Sequence, residues 1–228
     1  MMDEKFEKIK QLAMAELKDC SAHDLDHVLR VYNLALIIAE NETGVDLEIL
    51  QAAVLLHDIG GAQEANDPTG ATDHAVVGQE MAKPILEKLN FSPDQIAHIQ
   101  DCILSHRYRT DNKPKTIEAK ILFDADKLDA IGAIGVARGY AWMGKNKAKI
   151  YKTVASLEEY AQDNLVGGKF NGRIKDRSKH SVQIQWELKE KHLLEKLYTA
   201  TAKKIGAERI VYEEQFLVRL EKEIKGEI

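Results

Sequence analysis

The sequence of 228 residues contains little cysteine, little proline and no long hydrophobic run. Its two cysteines, Cys20 and Cys102, lie far apart and cannot form the disulfide framework of a small secreted protein, so we expect both to be buried, reduced side chains. No apolar stretch reaches the roughly 20 residues of a membrane-spanning helix, and the charged N-terminal segment lacks the apolar core of a signal peptide. These absences predict a cytoplasmic protein with no membrane partner.

An excess of positive charge is also missing, since 32 Lys and Arg residues stand against 37 Asp and Glu residues. A protein that binds duplex nucleic acid usually carries a positive field. We therefore do not expect a nucleic-acid duplex as a partner. The one basic concentration, from Lys169 to Lys179, is interpreted as a solvated loop, with a contribution to substrate specificity from the surrounding segment 145–181 as the alternative.

Apolar residues recur three and four positions apart in nearly every segment, which predicts an all-α fold. Helices are expected over 24–40, about 46–58, from 73, from 92, over 116 to about 130, over 151–160 and over 183–227. Gly60-Gly61 should end the second of these with a left-handed turn, 63–72 should be a loop, and Pro84 should kink or break the third helix. Ser92, Pro93 and Gln95 are typical of an N-cap, a first-turn proline and a capping-box residue, which predicts the start of the helix from 92. Gly206 marks an interruption in the last segment.

Histidines and aspartates fall on the apolar faces of these helices. His57 continues the stripe of Leu50 and Val54, and His106 continues a second stripe in the same way. The ionisable residues expected to face one interior are His27, His57, His74, His106, Asp126 and Asp129, with Asp58 beside His57. A single histidine on an apolar face is usually a satisfied core residue, but this combination is harder to explain by packing. Because buried charges are costly unless they are paired or bound to a cation, we expect a metal.

The metal type follows from the donors. Imidazole nitrogen and carboxylate oxygen together suit Mn, Fe, Co, Ni or Zn better than Mg, which prefers oxygen ligands.

These residues carry a resemblance to a known family. His27, the pair His57-Asp58 within AVLLHDIG, and Asp126 within DADKLD resemble the H…HD…D signature of the HD-domain metal-dependent phosphohydrolase superfamily. AHDLDH at 22–27, HAVVG at 74–78 and SHR at 105–107 are similar to segments of small stand-alone bacterial HD hydrolases. The resemblance implies a helical HD-domain core over 1–140, with additional C-terminal helices over 141–228 packed on it as a single compact unit.

The resemblance also implies a set of ligands. His27, His57, Asp58 and Asp126 would bind a first divalent ion. His74 and His106 occupy the positions of two further histidines in the binuclear branch of the superfamily, where the aspartate equivalent to Asp58 bridges two ions. The alternative is one ion, with these two histidines orienting water or substrate. Gly61 stands where the cyclic-dinucleotide branch has lysine. This difference disfavours cyclic dinucleotides as substrates.

The implied site predicts a metal-dependent phosphohydrolase. It would cleave a phosphomonoester or phosphodiester, of a nucleotide in the leading interpretation, by attack of metal-bound hydroxide. Asp58 is the candidate proton acceptor, and Asp129 is either a competing base or a residue that orients a histidine ligand. Arg30, Arg107 and Lys127 are candidates for binding the phosphate of a small phosphorylated substrate, with a solvated surface position as the alternative for each.

Two other functions stay open. Di-iron members of the superfamily insert oxygen with a similar set of six ligands, and a non-catalytic nucleotide-sensing HD module would keep the metal without turnover. Oxygen dependence and iron content separate the first from a hydrolase. The spacing of His23 and His27 also resembles the HExxH zinc-protease helix, but Asp24 stands in place of the glutamate. Whether the protein is a monomer or a homodimer is not determined by the sequence.

Overall fold

A computed structural model describes residues 4–17, 25–67, 69–107 and 112–228. These residues form α-helices joined by loops and short 3₁₀ turns, with no β-strand in the described ranges, which confirms the all-α prediction. Within the same ranges, no helix combines the length and the hydropathy needed to cross a bilayer. The chain divides into two compact units, Met1–Asp126 and Lys127–Ile228. The division near residue 140, with the C-terminal helices packed on the core, stays a prediction.

The first unit is built around α3, whose side chains are buried on nearly every face. Its helices are α1 (Glu4–Leu17), α2 (Leu25–Ala39), α3 (Leu47–Leu56), α4 (Gly61–Asn66), α5 (His74–Lys88), α6 (Pro93–Ser105) and most of α7 (Ile117–Leu128). Helix α3 packs against α1, α2 and α6, and α5 packs against α4 and α6. A short helix that is apolar all round is stable only inside such a bundle.

Three polar residues fix where helices of this unit begin. Asp46 caps α3 by accepting hydrogen bonds from two backbone amides of the first turn, and Asp73 caps α5 by accepting one. The predicted capping box at the start of α6 is confirmed, because Ser92 and Gln95 exchange side-chain and backbone hydrogen bonds.

The segment after α3 differs from its prediction. Gly60 has φ of −81° and does not form a left-handed stop, and 61–66 form α4 rather than part of a loop. The glycine is needed for close approach, since a Cβ on Gly60 would lie 2.3 Å from the backbone oxygen of His74. The sequence pattern indicates that a glycine is needed here, but it does not distinguish a left-handed turn from a close approach of two segments.

Of the kink or break expected at Pro84, the break does not occur. Helix α5 continues through this proline to Lys88. Ala82 and Leu86 on either side are fully buried. We attribute the continuity to this packing, which compensates the roughly 3 kcal/mol that a proline costs inside a helix.

The second unit contains the remaining helices: the end of α7, α8 (Gly132–Lys145), α9 (Leu157–Asn164), α10 (Val182–Leu188) and α11 (Ala200–Lys225). The helix predicted over 151–160 begins later, because Ser156 caps α9. Gly206 does not interrupt α11, and the break lies upstream, where 3₁₀ turns follow α10. A Cβ on Gly206 would lie 2.9 Å from Leu197 Cδ1, so this glycine serves packing.

The basic segment from Lys169 to Lys179 lies in the long connection between α9 and α10, and its lysines are exposed. This placement agrees with the solvated-loop interpretation. The contribution to substrate specificity stays a prediction.

Candidate metal centre

The carboxylate of Asp58 lies in the turn after α3 and faces four histidine side chains. Its Oδ2 is 3.4 Å from His27 Nε2 and 3.2 Å from His57 Nε2. Its Oδ1 is 3.4 Å from His74 Nε2 and 3.6 Å from His106 Nε2. The two oxygens of one buried carboxylate therefore face two different pairs of histidines.

Asp126 adds a second carboxylate on the His27 side. Its Oδ1 lies 3.4 Å from His27 Nε2. Donor atoms of His27, His57 and Asp126 all lie within 4.8 Å of one another, and so do those of His57, Asp58 and His106. The structure thus brings together the six residues singled out from the sequence as ligands, all within the first unit.

Helix ends orient two of the four rings. His57 follows the last residue of α3, and His106 follows the last residue of α6. Their Nδ1 atoms lie 2.7 Å and 2.5 Å from the carbonyl oxygens of Val54 and Ile103, carbonyls of the last helical turn. Because a carbonyl only accepts, each Nδ1 carries the proton, and in the neutral ring Nε2 presents a lone pair toward Asp58.

This arrangement of donors requires a positive charge. His74 Nε2 and His106 Nε2 are 3.1 Å apart, so a proton or a metal ion must lie between them. Burial lowers the pKa of His106 to about 4, which keeps its ring neutral at pH 7. His57 Nε2 is buried and makes no hydrogen bond to any described residue. The converging ring nitrogens and the Asp58 carboxylate fit a divalent metal, and the mixed nitrogen and oxygen donors suit Mn, Fe, Co, Ni or Zn.

Glu64 completes the surroundings of His74, and sequence reasoning missed it. Its Oε2 lies 2.7 Å from His74 Nδ1 and 2.7 Å from Arg107 Nη1. Burial alone would raise the pKa of this carboxyl, but hydrogen bonds from His74 and Arg107 outweigh burial and hold that pKa far below its usual range. No periodic pattern points to Glu64, because it lies in a short helix within a segment that reads as a loop.

The predicted phosphate ligands have different surroundings. Arg30 lies on α2, one turn after His27, and is partly exposed. Arg107 Nη1 lies 2.7 Å from both Glu64 Oε2 and Asp73 Oδ1. The side chain of Lys127 is buried near the end of α7. Contact of these cations with a phosphate stays a prediction.

The second candidate base, Asp129, belongs to the second unit and is buried. Arg138 Nη1 donates to both its carboxylate, at 2.6 Å, and its backbone oxygen, at 2.9 Å. The arginine fixes the orientation of this aspartate. Its role as a base stays a prediction.

Other predictions had mixed outcomes. The polar surroundings of His180 in the sequence predict a surface position, but the side chain is buried, and its Nδ1 lies 2.7 Å from the hydroxyl of Tyr160. Cys102 is buried and free, as expected. Cys20 and His23 lie outside the described residues.

Comparisons with known proteins place this geometry in context. The HD domain family model matches residues 24–131. The sequence is 30% identical to the YpgQ protein of Bacillus subtilis strain 168 over 229 residues, which cover 96% of this chain and 94% of that protein. It is 32% identical over 118 residues to the 3'-5' exoribonuclease YhaM of the same strain, a match that covers 46% of this chain and 37% of the exoribonuclease.

Solved structures match over nearly the whole chain. An HD-superfamily hydrolase from Bacillus thuringiensis has a TM-score of 0.69 and 27% identity, with 97% of each chain covered. Bacillus subtilis YpgQ in complex with ADP has a TM-score of 0.68 and 25% identity, with 97% of this chain and 98% of that chain covered.

Proposed function

Because the chain belongs to the HD domain family, we propose that it is a metal-dependent phosphohydrolase that cleaves a phosphomonoester or phosphodiester of a nucleotide. The observation that carries this proposal is the position of Asp58, with one carboxylate oxygen toward each pair of histidines. A carboxylate with one oxygen toward each of two sets of nitrogen donors is suited to hold the two ions of a two-metal hydrolytic centre, which lie about 3.5–4 Å apart.

The ligands divide into two sets that share Asp58. His27, His57 and Asp126 would hold one ion with Asp58 Oδ2, and His74 and His106 would hold the other with Asp58 Oδ1. A divalent ion bound by such donors supplies Lewis acidity, which makes water a nucleophile at neutral pH and offsets charge on a phosphoryl oxygen. The rings of His57 and His106 are already oriented by backbone carbonyls, so they need little rearrangement to act as ligands.

The proton and the phosphate need further groups. Asp58 is the proposed proton acceptor and Asp129 is its competitor. Asp129→Asn leaves the proposed metal ligands in place, so turnover per bound ion should stay at the wild-type value if Asp58 accepts the proton and should fall if Asp129 does. Arg107 already contacts two carboxylates. Substitution of Arg30, Arg107 or Lys127 by alanine tests whether each of these cations binds the phosphate.

The nucleotide part of the proposal has separate support. A structure with 25% identity to this chain, Bacillus subtilis YpgQ, was solved in complex with ADP. A nucleotide supplies both the phosphoryl group that a metal centre acts on and a base that other parts of the protein can select.

The test is a panel of nucleoside mono-, di- and triphosphates and aryl phosphodiesters, assayed with added Mn²⁺. We expect phosphate or alcohol release that depends on the metal and falls to background in the double variant His57→Ala, Asp58→Ala. Nucleotide binding without release by the wild-type protein would favour a sensing module. Stoichiometric iron with oxygen consumption and no hydrolysis would favour an oxygenase, and either result would overturn the proposal.

A further inference from the structure

We propose that Glu64 is a positioning residue that fixes the ring of His74 and thereby sets the metal affinity on the Asp58 Oδ1 side of the centre. The inference rests on the proposed two-ion centre and adds the residue that decides whether its second ion is held.

Glu64 contacts His74 at two points. Its Oε2 accepts the backbone N–H of His74 at 2.9 Å and lies 2.7 Å from His74 Nδ1. Because a carboxylate accepts, Nδ1 is the protonated nitrogen, and Nε2 is left to face Asp58 Oδ1 at 3.4 Å. One carboxylate therefore determines both the tautomer and the direction of the ring.

The position of His74 in its helix explains why a carboxylate is needed. His57 and His106 follow the last turns of α3 and α6, so unpaired carbonyls three residues earlier are available to their Nδ1 atoms. His74 is the first residue of α5. No helical turn precedes it, and a side chain from α4 supplies the acceptor instead.

Arg107 holds Glu64 in place. Its Nη1 and Nη2 lie 2.7 Å and 2.9 Å from the two oxygens of Glu64, a fork-like pairing that fixes the plane of the carboxylate. Nη1 also lies 2.7 Å from Oδ1 of Asp73, the N-cap residue of α5. Since Arg107 directly follows His106 in the chain, one network connects both histidines of the second ligand set.

Removal of Glu64 should act directly on metal affinity, and any change in turnover should follow from the weaker metal binding. Removing a hydrogen-bond partner of a ligating histidine typically weakens metal binding about 10–100-fold. Loss of Glu64 should therefore lower the affinity for the ion on the Asp58 Oδ1 side. The affinity for the ion bound by His27, His57 and Asp126 should not change.

The experiment is a Mn²⁺ titration by calorimetry, with metal content measured on the same samples of full-length protein. Glu64→Leu removes the acceptor and the charge, whereas Glu64→Gln keeps an amide oxygen that can still accept from Nδ1. We expect the wild-type protein to bind two ions. The affinity for the second ion should fall about 100-fold in Glu64→Leu and about tenfold in Glu64→Gln. Imidazole ¹⁵N spectra of the metal-free protein should show the Nδ1–H tautomer of His74 in the wild type and lose it in Glu64→Leu.

Glu118→Gln is the matched control. Glu118 also accepts a backbone N–H, from Asp46 at 2.8 Å, and its other oxygen lies 3.1 Å from His98 Nε2. It is on α7, roughly 12 Å along the helix from Asp126 at 1.5 Å per residue. This variant should bind both ions like the wild type.

Three results would contradict the inference. If Glu64→Leu binds both ions with wild-type affinity, Glu64 does not position His74 for metal, although the proposed hydrolase can still be correct. If the wild-type protein binds only one ion, there is no second ion for Glu64 to control, and Mn²⁺-dependent hydrolysis then decides the proposed function separately. If Glu64→Leu fails to fold, Glu64→Gln decides, and a wild-type second affinity in that variant together with an unchanged His74 tautomer would overturn the inference.

Discussion

A neutral histidine binds a metal ion through the ring nitrogen that carries a lone pair. The other ring nitrogen carries the proton, and the hydrogen bond that it donates fixes the orientation of the ring. In this protein the fixing partner is a backbone carbonyl for His57 and His106, and a carboxylate for His74. The difference depends on whether the histidine follows a helix or begins one. The geometry at a single residue thus determines which further side chain the centre needs.

Asp58 is the residue on which both halves of the centre depend. Asp58→Ala removes a ligand from each side of the centre. We therefore expect the affinity for both ions to fall by more than the roughly 10–100-fold that loss of a ligand's hydrogen-bond partner causes. Asp126→Ala should weaken only the ion on the His27 side. Metal content after dialysis checks both variants, with Asp94→Ala, an exposed residue in the first turn of α6, as the control. Two tightly bound ions in Asp58→Ala would contradict a bridging role.

The ligands themselves could be predicted from the sequence, whereas their supporting residues could not. His57 and His106 extend apolar stripes at helical spacing, which is a periodic signal. Glu64 and Arg107 interact across 43 positions of the chain, and their pairing has no local signature. Tertiary packing creates that contact, so only the structure reveals it.

Close helix approach at Gly60 positions α5 against the turn that carries Asp58. A Cβ there would meet backbone atoms of His74 at 2.3 Å and Gly78 at 2.8 Å, and backbone cannot move aside cheaply. We expect Gly60→Ala to lower the free energy of unfolding by about 1–3 kcal/mol and to weaken metal binding.

Gly78→Ala at the same crossing is the control, because its Cβ would make only ordinary contacts at 3.5 Å and longer. It should be neutral or stabilising by up to about 1 kcal/mol, since alanine favours the helix. Urea unfolding of both variants checks the contrast. Equal stabilities would show that the approach of the two segments is not tight.

Element boundaries show where sequence patterns are sufficient. The start of α6 was predicted from Ser92, Pro93 and Gln95, because a capping box is a local set of hydrogen bonds. The continuity of helices through Pro84 and Gly206 was not predicted. Both residues disfavour helix locally, and burial of their neighbours outweighs that preference.

The molecule as a whole should respond to its metal. Ions that bind only the folded state stabilise it by about 2.7 kcal/mol at a hundredfold excess over Kd. For a chain of this size, that corresponds to a rise in Tm of roughly 5–10 °C. Thermal unfolding with Mn²⁺ and with a chelator checks this, and the double variant His57→Ala, Asp58→Ala should show no shift. An equal shift in the variant would place the binding elsewhere.

The second unit should make stability depend on pH. Glu190 is buried, and this burial together with the neighbouring carboxylate of Glu213 raises its pKa well above the ordinary value of 4.5. Glu213 Oε2 also accepts the N–H of Gly132 at 2.7 Å. The folded state therefore keeps a proton that the unfolded state releases, so stability is greatest below the ordinary pKa and falls as pH rises above it.

Glu190→Gln removes this titration. We expect its free energy of unfolding to vary less between about pH 5 and 8 than that of the wild type, and to exceed it at the upper end, with about 1.4 kcal/mol for each unit of pKa difference. Glu187→Gln, at a partly exposed position paired with Lys191, is the control. A wild-type pH profile in Glu190→Gln would rule out this source of the dependence.

The most direct test of the account is a crystal structure of the protein loaded with Mn²⁺, with anomalous scattering measured at the manganese edge. We predict one anomalous peak on each side of Asp58. One peak should lie next to His27, His57 and Asp126, and the other next to His74 and His106. A single peak on the His27 side would contradict the two-ion centre, and the absence of any peak beside Asp58 in metal-loaded crystals would contradict the metal centre itself.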